Sequence, residues 1–128
     1  MSTVVTRNVQ VGASGTPANN FTLYQPAVPD GTVRIANGNS GSTTDVVTFT
    51  SAGVVLPGSN AAQDLGSTSL RWRNVYTSDL HLNNGIGNYT IVEGEDDLFL
   101  YNNKSGKTYK FALIEVDQSE APPKMKEA

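Results

Sequence analysis

Apolar and polar residues alternate over short stretches of this chain, and the alternation has the two-residue period of a β-strand. Val33 and Ile35 share one face of a predicted strand over residues 32–36. Val47 and Phe49 do the same in the next apolar run. No window of about a dozen residues keeps apolar side chains three and four positions apart without a Gly, Pro or Asn interrupting it. The pattern therefore predicts an all-β fold of short strands and hairpins.

Residues that favour turns separate the predicted strands. The polar run 37–44 predicts a loop, and Pro57 and Gly58 end a short strand over residues 54–56. Other short apolar runs predict further strands. These cover residues 4–5, 8–11, 21–24, 80–82 and 89–92.

The strongest local pattern is a hairpin in the C-terminal half. Strands over residues 98–101 and 108–113 flank a polar loop, in which Gly106 fits a position of positive φ. Both faces of this hairpin carry large apolar groups, which two strands cannot cover by themselves. Another segment of the chain, or another copy of it, has to cover the second face. The side chains predicted to pack are Leu98 and Leu100 on one face, Phe99 and Tyr101 on the other, and Tyr109 and Phe111 on the second strand.

Composition adds a reason to expect self-association. Only 38% of the 128 residues are hydrophobic and 16% are charged, and Gly, Ser, Thr and Asn make up much of the rest. A chain of this kind has limited apolar area to bury against itself, and association with further copies is one way to offset the entropy of folding.

Charge and residue usage exclude several kinds of partner and site. The net charge is −3 and no cluster of Lys and Arg is present, so we expect no binding to nucleic acid. Cysteine is absent, which excludes disulfides and cysteine-based metal sites. The longest apolar run is about four residues, too short to enter a membrane, and residues 1–7 lack the apolar core of a signal peptide. We therefore expect synthesis in a cytoplasm.

The sequence contains few residues that could serve catalysis or bind a metal ion. The carboxylates Glu93, Glu95, Asp96 and Asp97 could in principle serve a glycosidase or bind calcium, but the run lacks the spacing of an EF-hand and is typical of a solvated turn. A single histidine, His81, builds neither a zinc site within one chain nor a catalytic triad. We predict no enzyme activity, no metal site and no cofactor.

Residues 64–76 carry a recognisable motif. They read D-L-G-S-T-S-L-R-W-R-N-V-Y, which resembles the D-L-G-S-x-S-x-R-W-x-x-V-Y pattern of bacteriophage tail fibres, and residues 89–107 are similar to C-terminal segments of phage virion proteins. The similarity covers about a third of the chain. It implies an elongated, intertwined homotrimer that forms a fibre or tip in the virion and is made in the cytoplasm of the host.

A structural role suits the residues of this motif. Asp64 can accept hydrogen bonds from the following turn, Gly66 permits a tight bend, and Arg71 lies beside the tryptophan. If the segment is extended, Trp72 and Tyr76 lie on one side, and in a threefold assembly three Trp72 side chains would meet near the axis. The alternative is that Trp72 belongs to the core of a monomeric sandwich.

The sequence thus predicts four parts. Residues 1–57 form an N-terminal β module for attachment or shaft, 58–82 the motif region, 83–117 the C-terminal hairpin module, and 118–128 an extended tail. The predicted function is that of a tail-fibre-like structural subunit involved in host adsorption. Its partners would be its own copies, other tail, baseplate or capsid proteins, and a host surface glycan or receptor. A capsid decoration, head-fibre or baseplate adaptor protein is the alternative, and a small polysaccharide depolymerase is less favoured.

Overall fold

The structure, a computed structural model, describes residues 1–124 and confirms the all-β fold class over that range. Two compact units divide the chain after Leu65, and each contains one antiparallel sheet. The first sheet consists of β1 (Asn8–Val11), β2 (Phe21–Tyr24), β3 (Thr32–Asn39), β4 (Ser42–Thr50) and β5 (Val55–Pro57). The second consists of β6 (Leu80–Asn83), β7 (Asn88–Glu93), β8 (Leu98–Asn102) and β9 (Thr108–Lys110).

Both sheets are meanders. The spatial order of the strands follows their order in the chain, so every strand pairs with its neighbours in sequence. The predicted C-terminal hairpin is present as β8 and β9, and Gly106 adopts the predicted positive φ, at 73°. Its second strand ends at Lys110, earlier than the predicted end at residue 113.

The loop predicted over residues 37–44 is wrong in extent. Asn39 pairs with Ser42, so that only two residues form the turn, and Gly41 has a φ of 90°. The polar residues on either side continue the two strands, because their backbone groups pair across the hairpin whatever the side chains are. The sequence prediction assigned these residues to a loop because it relied on their polar composition alone.

A β-bulge in β4 decides which way Asp45 points. Ile35 pairs with Val47 and Ala36 with Asp45, so Val46 is an extra residue in the ladder. Simple alternation would place Asp45 on the same face as Val47. The bulge moves it to the opposite face, where it meets the side chains of Tyr24 and Arg34.

The chain ends differ from the prediction in two places. Residues 1–7 contain no strand, although a strand was predicted over 4–5, because β1 begins only where pairing with β2 becomes possible. In the predicted tail, residues 118–120 form a 3-10 turn whose start is capped by the carboxylate of Asp117. Residues 125–128 of that tail lie outside the described residues.

The interior of the first unit is small and polar. Ala36 is the only fully buried hydrophobic residue within residues 1–124, and the largest fully buried side chains there are Asn20 and Thr22. The Asn20 amide accepts a hydrogen bond from the Ser14 backbone N–H at 2.9 Å and donates to the Ser14 carbonyl and to the Asn39 side chain. This amide ties the loop before β2 to the end of β3.

Replacing Asn20 by alanine should lower the free energy of unfolding by about 2 kcal/mol, since the buried amide and its three hydrogen bonds are lost. Chemical denaturation at a fixed protein concentration measures the change. The control is Asn19→Ala, because the exposed Asn19 side chain makes one long hydrogen bond of 3.4 Å. Equal stability of the two variants would contradict the role assigned to Asn20.

Candidate functional site

The first sheet carries nearly all of its large apolar side chains on one face. Cross-strand partners point to the same side of a sheet, and the row that runs through Leu23 is apolar in all five strands. The two neighbouring rows add valines and phenylalanines on the same side. We call this surface apolar face A. It consists of Val9, Val11, Phe21, Leu23, Val33, Ile35, Val47, Phe49, Val55 and Pro57.

Apolar face A is open to solvent in the single chain. Phe21, Leu23 and Phe49 keep 43%, 42% and 41% of their surface exposed, although strand neighbours flank them on both sides. A second layer over the sheet would remove most of this exposure. Antiparallel sheets that are solvated on one side normally turn their apolar face inward, so this face lacks the covering that its composition requires.

The opposite face of the same sheet is polar and better covered. Thr22 and Ala36 lie there as cross-strand partners, and both are buried. The Thr22 hydroxyl donates to the Gly38 carbonyl at 3.0 Å, and the Gln10 side chain accepts from the Ser40 backbone N–H at 3.0 Å. The fully buried Thr22 and Ala36 thus lie on the polar face, whereas Phe21, Leu23 and Phe49 on apolar face A remain exposed.

The second sheet has an apolar face of its own. The cross-strand row through Ile91 is apolar in β6, β7 and β8 and ends in a tyrosine on β9. Phe111 extends the surface, because its backbone N–H donates to the Leu98 carbonyl at 2.9 Å. We call this surface apolar face B. It consists of Leu80, Leu82, Tyr89, Ile91, Leu98, Leu100, Tyr109 and Phe111.

The other face of the second sheet is mixed and partly covered. The turn at Gly94 lies against the Phe99 ring, so a β-carbon on Gly94 would come within 2.7 Å of it. Thr90 is buried there and contacts the Nδ1 atom of His81 at 3.1 Å. Tyr101 lies opposite Thr90 and remains exposed. The chain itself therefore covers part of the second hairpin face, and apolar face B is the side that it leaves open.

The motif residues lie in a segment without regular secondary structure. Trp72 and Tyr76 are 65% and 75% exposed. Gly66 forms the predicted bend with a φ of 88°, and the Trp72 ring packs beside it. The Ser67 backbone and hydroxyl close this turn with hydrogen bonds to Leu70, in place of the carboxylate of Asp64. Arg71 donates to the Thr68 carbonyl at 2.7 Å and fixes the backbone before the tryptophan.

A charged network crosses the polar face of the first sheet. The Tyr24 hydroxyl donates to Asp45 at 2.5 Å, and the Arg34 guanidinium bridges Asp45 and Asp30 at 3.0 and 2.7 Å. Hydrogen bonds from the Thr32 hydroxyl and backbone, and then the Arg34 charge, hold the pKa of Asp30 below its ordinary value. The hydrogen bond to Asp45 and partial burial raise the pKa of Tyr24.

Because the pKa of Tyr24 is raised in the folded protein, part of the stability of the fold is lost at alkaline pH. The neutral phenol is favoured in the folded state, so its contribution is complete below the ordinary tyrosine pKa of 10.0 and is lost as the pH rises through the higher folded value. In a titration followed by tyrosinate absorbance, Tyr24→Phe should remove one transition that lies above pH 10.0 in the wild type. Loss of a transition at or below that pH would contradict the assignment.

The predicted carboxylate run remains at the surface. Glu93, Glu95 and Asp96 are exposed, and Asp97 forms a salt bridge with Lys110 at 3.0 Å. Within residues 1–124 no group of three His, Asp or Glu side chains is placed to hold a metal ion. No helix in that range is long and apolar enough to cross a membrane. Apolar faces A and B are surfaces available for contact with other molecules. The carboxylate run, by contrast, resembles a solvated turn.

The accessible surface of the chain is large for its mass. It amounts to 10896 Å². A compact monomer of 13.6 kDa should expose about 6,500 Å², and two separate compact globules of half that mass about 7,900 Å² together. The excess over the larger value is about 3,000 Å².

The predicted packing residues of the hairpin lie on both faces of the second sheet, in the alternation that the sequence indicated. Leu98, Leu100, Tyr109 and Phe111 share apolar face B, whereas Phe99 and Tyr101 point the other way. Sequence reasoning missed apolar face A as a single surface, although the alternation within each strand was visible. The missing information was the register that aligns the five strands.

Comparison with protein-family models, with curated proteins and with solved structures found no match to this chain.

Proposed function

We propose that this chain is a non-enzymatic structural subunit of a bacteriophage particle, tail-fibre-like, which assembles as an elongated homotrimer and takes part in host adsorption. The observation that carries the proposal is the bare apolar face A. A self-associating subunit accounts for it, because further copies supply the second layer that one chain lacks.

The proposed threefold arrangement would cover the apolar faces. Three copies of apolar face A around one axis would enclose a common core, with Leu23 and Ile35 of each copy directed inward. The polar faces would then point to solvent. Apolar face B can be covered in the same way by its own equivalents, and the exposed Trp72 and Tyr76 provide additional area for contact between copies.

The motif over residues 64–76 supports a place in a phage particle, since its resemblance is to tail fibres. Its geometry is compatible with a structural part: the bend at Gly66 and the hydrogen bonds at Ser67 present the tryptophan at the surface. That resemblance supports the proposed virion location and adsorption role, and the apolar faces support the proposed self-association.

Multi-angle light scattering on the purified full chain tests the assembly. We expect a mass three times the 13.6 kDa of one chain, maintained on dilution into the micromolar range. A compact monomer that unfolds cooperatively on heating would overturn the proposal.

Imaging of phage particles with a bound antibody to this chain tests the location. Labelling at the tail or its tip is the expected result. Labelling over the capsid or at the baseplate would instead support the head-fibre, decoration or adaptor role, and the absence of label on intact particles would overturn the virion assignment.

A further inference from the structure

The sequence contains two Asn-Gly dipeptides, Asn37-Gly38 and Asn84-Gly85. An asparagine followed by glycine can react with its own backbone, because the next nitrogen can attack the side-chain amide carbon and glycine has no side chain to hinder the approach. The product is a cyclic succinimide, which water opens to aspartate or isoaspartate. In a folded protein the rate of this reaction depends on how firmly the reacting groups are held.

Asn37 and Gly38 are held firmly inside the first sheet. Both belong to β3, and Gly38 is buried. The Asn37 side-chain amide donates to the carbonyls of Ala18 and Asn20 at 2.8 and 3.2 Å. The Gly38 N–H donates to the same Asn20 carbonyl at 2.8 Å. Ring closure would break all three hydrogen bonds, because it releases the amide nitrogen and removes the hydrogen of the backbone N–H.

Asn84 and Gly85 lie in the turn between β6 and β7, outside any strand. Both residues are exposed, and apart from the chain neighbours of Gly85 no atom lies within 4 Å of the position that a β-carbon there would take. The Gly85 N–H donates to the Asn83 side-chain oxygen at 3.0 Å, and this exposed oxygen can be replaced by water. Solvent base therefore reaches the backbone nitrogen, and ammonia can leave freely.

The side-chain carbonyl of Asn84 is polarised by the turn. Its Oδ1 atom accepts hydrogen bonds from the backbone N–H groups of Ile86 and Gly87 at 3.0 and 2.9 Å. Attack by the Gly85 nitrogen on the amide carbon places negative charge on this oxygen, and donors that are already directed at it stabilise that charge. The Asn37 side chain, by contrast, makes its hydrogen bonds through the nitrogen that has to leave.

We propose that Asn84 is a site of spontaneous covalent modification, at which the chain converts this asparagine to aspartate and isoaspartate. The Gly85 nitrogen gives its proton to solvent base and forms a bond to the Asn84 Cγ atom. The bond between Cγ and Nδ2 breaks, and Nδ2 takes up a proton and leaves as ammonia. Water then opens the succinimide at Cγ to give aspartate, or at the backbone carbonyl carbon to give isoaspartate. The reaction is intramolecular and does not rest on the proposed assembly or location.

Both products alter the tip of the second sheet. Aspartate adds a negative charge to a turn that Lys104 already contacts, since the Lys104 Nζ atom donates to the Ile86 carbonyl at 2.8 Å. Isoaspartate adds a methylene group to the backbone directly after Asn83, which pairs with Asn88 at the end of the ladder between β6 and β7. The turn therefore changes in charge and length as the protein ages.

Peptide mapping by mass spectrometry on the aged full-length chain tests the proposal. After incubation at mildly alkaline pH in water enriched in heavy oxygen, we expect a labelled acid at residue 84, part of it isoaspartate. Conversion of Asn37 should be at least about tenfold slower, because three hydrogen bonds must break there. The rate at Asn84 should rise with pH, since the reactive nitrogen is the deprotonated one. An amide that persists at Asn84, or equally fast conversion at Asn37, would overturn the proposal.

The unfolded chain is the control for the role of the fold. In concentrated urea both dipeptides lose their hydrogen bonds, so Asn37 and Asn84 should convert at similar rates. If Asn37 stayed slower in urea, the neighbouring sequence would explain the difference and the structural argument would fail.

A matched pair of variants tests the assignment by ammonia release from the folded chain. Asn84→Gln should remove most of the release, because the longer side chain has to close a larger and less favourable ring. Asn37→Gln should leave the release unchanged. Wild-type release from Asn84→Gln would place the reaction at another residue and overturn the assignment.

Discussion

Replacing Leu23 by glutamate should convert the proposed homotrimer to monomers. Leu23 occupies the central row of apolar face A, between Val9 and Ile35 on the flanking strands. In a single chain the new carboxylate would remain hydrated, since this position is 42% exposed. In an assembly it would be buried without a partner, at a cost of about 4 kcal/mol, which corresponds to roughly a thousandfold weaker association.

The matched control for this change is Thr48→Glu. Thr48 lies on the opposite face of the same sheet and pairs with Arg34, so a carboxylate there remains near a positive charge and in contact with water. Light scattering across a dilution series should give the wild-type mass for Thr48→Glu and the single-chain mass for Leu23→Glu. If Leu23→Glu keeps the wild-type mass, apolar face A is not the contact surface between copies.

Replacing Gly58 by alanine should cost about 3 kcal/mol of stability or more. A β-carbon at Gly58 would lie 1.9 Å from the Asp45 carbonyl oxygen and 2.4 Å from its carbon, and both are backbone atoms that cannot rotate away. The Gly58 N–H also donates to the Val46 carbonyl at 2.8 Å, which ties the chain after β5 to the bulge in β4. The substitution forces this junction apart.

Gly15→Ala is the control for this prediction. No atom lies within 4 Å of a β-carbon at Gly15, and its φ is not in the left-handed region, so we expect a change within about 0.5 kcal/mol. Urea denaturation at one protein concentration compares the two variants. Equal urea midpoints for the two variants would show that a β-carbon at Gly58 is tolerated despite the close approach of this residue to β4.

The sequence predicted the strands well where local alternation was clear. Val33 and Ile35 share a face with Val47 and Phe49, as the two-residue period indicated, and Gly106 turns the C-terminal hairpin. Such features depend on residues near one another in the chain, so a local pattern is sufficient to predict them.

The remaining features depend on pairing across strands, which local patterns do not reveal. The bulge at Val46 reverses the direction of Asp45, and the polar residues around Gly41 extend a hairpin because each finds a partner on the opposite strand. A cleft that Arg7 and Ser42 help to line was missed for the same reason, because these residues are far apart in sequence and come together only when β1, β2 and the tip of the hairpin between β3 and β4 assemble.

The meander order of both sheets has a kinetic consequence. Every strand pairs with a neighbour in sequence, so loop closure is short and each hairpin can form within microseconds, as low contact order permits. In the proposed assembly such early sheets gain little burial, because their apolar sides remain hydrated until other chains arrive. The slow step in reaching the native state would then be molecular encounter, and the speed of maturation would depend on how many nascent chains are present together.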